Sequence, residues 1–175
     1  MNSARAAGHS LYELLMTLAL FALLISVGVP SLSGMVAHHR LRTDVDALFH
    51  AIHHARKASI VRRRVMSICP TLDGATCGGR DAWSAGWMMY VDVNRNGRFD
   101  DEPVIRHARI QPTHRVMANR NQFSLRATQK RATNGTVIFC DHKRRARSRA
   151  LVISYTGRPR VAYEDPRGRP YECPD

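Results

Sequence analysis

The chain predicts an α+β fold in which a long N-terminal helix, first transmembrane and then amphipathic, packs on a small, mainly antiparallel β domain. Three observations lead there. An uncharged apolar run extends from Leu14 to Val29, hydrophobic residues then recur at helical spacing from Leu41 to Ser59, and beyond Val65 the pattern turns to short strand-like segments between turn residues.

Counted from Leu11 to Val29, the apolar run is just long enough to cross a bilayer, since about 20 helical residues at ~1.5 Å each span the roughly 30 Å hydrocarbon core. Glu13 near its start is out of keeping, because a carboxylate in a membrane segment costs on the order of a few kcal/mol. An acid retained in such a place has a partner. Met1 to Gly8, ahead of it, carries one charge, Arg5, and no acid. A secretory signal would have a shorter apolar stretch and a small-residue cleavage site behind it. No convincing A-x-A follows Val29. An uncleaved signal anchor is the plainer alternative.

After Pro30 the helix is expected to resume with Ser31 as its N-cap. Leu41, Val45, Leu48, Phe49, Ile52, Ala55 and Ser59 form one apolar stripe, with basic residues and histidines at the other positions. Arg62-Arg63-Arg64 ends the stripe, where cations suit the helix macrodipole. His50, His53 and His54 have a spacing that could hold a metal, but no acid or cysteine nearby completes a set, and they read as a solvated basic face.

Strands are expected at 65–69, 86–91 and 104–108, and later at 122–125, 136–140, 150–155 and 160–163. Pro70 to Arg80 is a loop that holds Pro, Asp-Gly and Gly-Gly. Four cysteines, Cys69, Cys77, Cys140 and Cys173, stand behind an export signal. They allow three pairings. The preferred one closes a short loop with Cys69–Cys77 and ties the C-terminal tail with Cys140–Cys173. Zinc is the rival, without a C-x-x-C to support it.

Asp92-Val93-Asn94-Arg95-Asn96-Gly97 matches the first half of a calcium loop, but position twelve is Pro103, Glu102 is one residue short, and the flanks are strands. A hairpin connection explains the Asn-Gly equally well, so Asp92, Asn94 and Asn96 are only a weak calcium candidate. No cofactor is expected, and no catalytic constellation emerges.

At 175 residues with 44% hydrophobic content, the chain suits one modest domain plus an anchor, with about 140 residues left for the core. Its net charge of +13 is far from average and points to polyanionic partners. Ten positives, Arg126, Lys130, Arg131, Lys143, Arg144, Arg145, Arg147, Arg149, Arg158 and Arg160, face only Asp141 between residues 126 and 160. Gly157-Arg158-Pro159-Arg160 reads as a rigid turn whose two arginines lie on one side if extended. Arginines so held suit successive phosphates. The alternative is a solvated basic face, or one that docks acidic neighbours.

A glycine at position 8, an acid five residues into the segment that follows, a long apolar run and a proline at its end together resemble the type IV pilin superfamily. The body resembles the FimT and GspH-type minor pilins and pseudopilins through Val65-Met66-Ser67-Ile68-Cys69-Pro70, Trp83-Ser84-Ala85-Gly86-Trp87, Phe139-Cys140-Asp141 and Ser154-Tyr155-Thr156-Gly157-Arg158-Pro159-Arg160. The resemblance implies that 1–8 is a leader, 9–30 a membrane and filament-core helix, 31–63 its amphipathic continuation and 64–175 a periplasmic β domain. It implies cleavage after Gly8 by a prepilin peptidase, methylation of the new N-terminal His9 (where the family usually has Phe), and pairing of Glu13 with a neighbouring subunit's amine. The protein would sit in the inner membrane and then in a pilus among other pilins or pseudopilins, without enzymatic activity. The Gly-Arg-x-Arg segment implies capture of double-stranded DNA for natural transformation by Arg158 and Arg160, with Lys143, Arg144, Arg145, Arg147 and Arg149 in support. About six phosphate contacts would cost on the order of a thousandfold in affinity between 50 and 200 mM salt. A GspH-type pseudopilin of type II secretion, without DNA binding, is the alternative.

Overall fold

The computed structural model describes residues 10–126 and 132–173, without the side chains of 29–31. Gly8, His9, Lys130 and Arg131 therefore lie outside the described residues. The chain divides into two compact units that part between Val36 and Ala37.

Helix α1 covers Leu11–Arg62. It starts on Ser10, whose hydroxyl accepts the Glu13 N–H at 3.2 Å, and Glu13 stands in the first turn where the macrodipole favours an acid. From residue 10 to 28 every side chain is exposed, and the helix is long and apolar enough to cross a membrane. The Thr17 and Ser26 hydroxyls donate back to the Leu14 and Leu23 carbonyls, both at 2.8 Å, which satisfies them without water. The expected new start at Ser31 is overturned, because α1 passes through Pro30. Proline forfeits one helical hydrogen bond. Breaking an apolar helix would strand several backbone groups in a medium that cannot satisfy them.

The second unit places the rest of α1 on two four-stranded antiparallel sheets. One holds β1 (Val65–Pro70), β2 (Gly86–Asp92), β3 (Val104–Arg109) and β5 (Phe123–Leu125) in the order β3-β2-β1-β5. The other holds β4 (His114–Ala118), β6 (Gly135–Asp141), β7 (Arg149–Ile153) and β8 (Pro159–Ala162) in the order β4-β6-β7-β8. The antiparallel β domain is thus built of two sheets. Strand β4 escaped the sequence reading because a buried His114 stands where an apolar residue would mark a strand. Its imidazole Nδ1 lies 2.6 Å from Asp44 Oδ2, a polar contact between α1 and the second sheet.

The core joins the helix stripe to both sheets. Leu41, Val45, Leu48 and Ile52 meet Met66, Ile68, Met89 and Phe123 on one side, and Val116, Val137, Phe139 and Leu151 on the other. A short 3-10 helix at Arg80–Ser84 links the sheets: the Trp83 indole donates to the Arg120 carbonyl, and Ser84 Oγ both donates to and accepts from the Val116 backbone. Strand β1 is buried at all six positions, not at alternate ones. Its outer face carries Cys69, which packs with Met88 and Tyr90 beneath Cys77 and Phe99 of the neighbouring loops. Burial of the Tyr90 phenol there pushes its pKa up to about 12.

Candidate nucleic-acid interface

The β7–β8 connection is a tight turn. The Gly157 N–H donates to the Ser154 carbonyl at 2.9 Å, the Ser154 N–H to the Arg158 carbonyl at 3.1 Å, and the Arg158 N–H to Ser154 Oγ at 3.2 Å. Gly157 sits at φ +72°, and a Cβ there would lie 3.0 Å from Leu125 Cδ2, so the position requires glycine. Pro159 is buried while Arg158 and Arg160 are exposed, Arg160 on β8, the edge strand of its sheet, and Arg158 in the turn just before it. Neither guanidinium makes an ion pair or hydrogen bond with a described residue. Arg56 on α1 donates from Nε to the Thr156 carbonyl at 3.0 Å and brings a third positive charge to the turn. Nothing in the local sequence marks Arg56. The contact joins residues one hundred positions apart.

The charges of the segment from Lys143 to Arg149 have unequal surroundings. Arg145 grips Asp141 with Nε on Oδ2 at 3.2 Å and a terminal nitrogen on Oδ1 at 3.1 Å, and its N–H donates to Oδ2 at 2.9 Å. Burial raises the Asp141 carboxyl, but the Arg145 hydrogen bonds and charge outweigh it and hold it below the ordinary carboxylate range. Arg147 bonds Glu164 at 3.0 Å and lies over the Tyr163 ring, 5.2 Å from its centroid. Arg149 is only 6% exposed, 5.4 Å from the same centroid, with its NH2 group 2.7 Å from His38 Nε2. Arg145, Arg147 and Arg149 thus each have a partner within the fold, Arg147 in an exposed ion pair. Lys143 and Arg144 remain exposed in the connection.

The two basic regions are also separated. They flank opposite ends of β7, five residues long, so roughly 15 Å lies between them at about 3.3 Å per residue. Between them they can offer charge to an extended polyanion but not to a small anion.

The other expected sites fall elsewhere. Disulfides join Cys69 to Cys77 and Cys140 to Cys173, with Cα separations of 5.7 and 6.0 Å. His50, His53 and His54 are exposed on α1, and His53 stacks edge-on against Phe49 at 4.7 Å. The loop from Asp92 connects β2 to β3, and its Gly97 N–H donates to Asp92 Oδ2 at 3.1 Å.

The family model of the type II transport protein GspH matches residues 44–157. In fold, the chain is similar to the type IV minor pilin FimU of Pseudomonas aeruginosa, seen in two crystal forms. One is 19% identical over 71% of this chain and 89% of FimU, with a TM-score of 0.53. The other is 18% identical over 69% of this chain and 91% of FimU, with a TM-score of 0.51. Among curated proteins none matches in sequence.

Proposed function

This chain belongs to the GspH family within the type IV pilin superfamily, and on that premise we propose that it is a minor pilin that contacts duplex DNA through the β7–β8 edge. The leader is removed after Gly8 by a prepilin peptidase, and His9 becomes the methylated N-terminus. Residues from Leu11 onward hold the precursor in the inner membrane, with the β domain in the periplasm, and later lie in the filament core among other pilins. There Glu13 pairs with a neighbour's amine, which relieves the cost of an isolated buried charge.

One observation supports the DNA contact above the rest: Arg158 and Arg160 are exposed at the start of an edge strand, next to a tight turn and committed to no acid among the described residues. Arg56, bonded to the Thr156 carbonyl of the same turn, adds a third positive charge. Recognition runs through the phosphate backbone and is indifferent to sequence. With three phosphates in place of six, affinity falls roughly fortyfold between 50 and 200 mM salt. The test is a salt titration of the full chain in detergent micelles against duplex DNA. Arg158→Glu with Arg160→Glu abolishes binding. Affinity that ignores salt, or survives that double reversal, defeats the proposal.

A second reading has its own support, since the matching family model describes a type II transport protein. In that reading the chain is a pseudopilin of a secretion filament, and the basic edge docks acidic neighbouring subunits. DNA binding that is absent in the wild type, together with loss of filament incorporation on the same charge reversal, selects it.

A further inference from the structure

The β2–β3 connection, residues 93–103, holds or adjoins four acids, Asp92, Asp100, Asp101 and Glu102. Two of them are buried: Asp92 is 0% and Glu102 8% exposed. Glu102 is satisfied from the backbone, its Oε1 accepting the Val93 N–H at 3.0 Å and its Oε2 the Asp100 N–H at 3.3 Å. Asp92 is not. Its Oδ2 accepts the Gly97 N–H across the loop, while Oδ1 is cut off from solvent and has no partner. No described basic side chain forms an ion pair with either carboxylate. A buried carboxylate with a bare oxygen and no counter-charge is costly unless a cation supplies both.

The other polar side chains of the loop are of one kind. Asn94 Oδ1 accepts the Asn96 N–H at 3.0 Å and Asn96 Oδ1 the Arg98 N–H at 2.7 Å, and each amide oxygen keeps a second lone pair. The two amides also converge on Asp100, donating to its Oδ2 at 3.1 and 2.5 Å. Asp92, Asn94, Asn96 and Asp100 thus occupy positions one, three, five and nine of a loop whose sixth residue, Gly97, has φ +73°. Those are the oxygen-donor positions of calcium loops, and position seven there contributes a backbone carbonyl, here that of Arg98. Among the described residues no three His, Cys, Asp or Glu side chains converge as a metal set. The donors here are mixed carboxylate, amide and backbone oxygens, which suit a hard cation with a high coordination number.

We propose that Asp92, Asn94, Asn96 and Asp100 form a calcium site, with the cation seated against the unpartnered Asp92 Oδ1. Glu102 stays on the backbone and closes the base of the loop. Arg95 and Arg98, exposed in the same loop, weaken the affinity, and so the site belongs with extracellular modules that bind calcium at roughly 10⁻⁴–10⁻³ M. The bound ion rigidifies the loop that carries Phe99 over Tyr90 and presents the Gly97 carbonyl to Gln122.

Calorimetry and thermal unfolding of the full chain in detergent micelles, stripped with chelator and titrated with calcium chloride, test the assignment. The expected result is one calcium per chain and a rise in the unfolding midpoint that magnesium does not reproduce. Asp92→Asn abolishes the heat of binding while the protein still unfolds cooperatively. Asp100→Asn, at an exposed position, lowers affinity about tenfold or more. Absence of heat up to roughly 10 mM calcium, beyond the weak end of such sites, overturns the proposal. So does an undiminished response in Asp92→Asn, or an equal response to magnesium.

Discussion

Arg145, Arg147 and Arg149 stand within five residues of one another and do three different things. Arg145 neutralises Asp141, Arg147 bridges Glu164 and Tyr163, and Arg149 is buried against His38. Alternate charges on a strand-to-strand connection look equivalent in sequence, and only their neighbours distinguish them. Arg145→Ala is therefore expected to leave DNA affinity within about twofold and to lower stability, whereas Arg158→Ala weakens binding and leaves stability intact; urea unfolding and a DNA titration separate the two. Asp141→Asn removes a charged acceptor whose side chain is fully buried and costs roughly 1–3 kcal/mol. Because the folded carboxyl titrates below its ordinary value of about 4, its contribution is present above that pH and is lost as the pH falls through the lowered value. Unfolding midpoints followed from pH 7 to pH 3 should fall less steeply in Asp141→Asn than in the wild type.

At the level of elements, the helix stripe was legible because one face of a helix repeats every three to four residues and the core tolerates few exceptions. Leu41, Val45, Leu48, Ile52, Ala55 and Ser59 are all buried, and Phe49 is half-buried at the margin. Ala37 and Ala51, too small to announce themselves, complete the face. Leu48→Ala in the middle of it should cost about 2–5 kcal/mol in urea unfolding. Strands were less legible. The outer face of β1 is roofed by loops, so a period of two does not predict its burial, and β4 was hidden by a histidine whose partner, Asp44, lies seventy residues earlier. The β7–β8 turn was marked by its Gly-Arg-Pro-Arg run, and Gly157→Ala there should cost roughly 1–3 kcal/mol, since φ is positive and Leu125 and Ala132 leave no room.

On the scale of the whole molecule, the Cys140–Cys173 bond fastens the tail to β6 across a separation of 33 residues. Replacing both cysteines with serine should cost about 2–4 kcal/mol, read as a lowered unfolding midpoint under non-reducing conditions. Glu13→Gln keeps the Ser10 cap, which uses the backbone N–H of residue 13. Membrane insertion should then persist while recovery in sheared filaments falls; unchanged recovery would remove Glu13 from assembly. By itself the sequence determined the long apolar helix, its buried face further on, the basic character of the C-terminal half and most strand positions, because these follow from local period, turn chemistry and charge. The tertiary structure alone decided which arginines remain available, that Arg56 joins Arg158 at one turn, and that Asp92 is buried with an empty oxygen. Those outcomes depend on partners dozens of residues away, and no local pattern encodes which acid will quench which base.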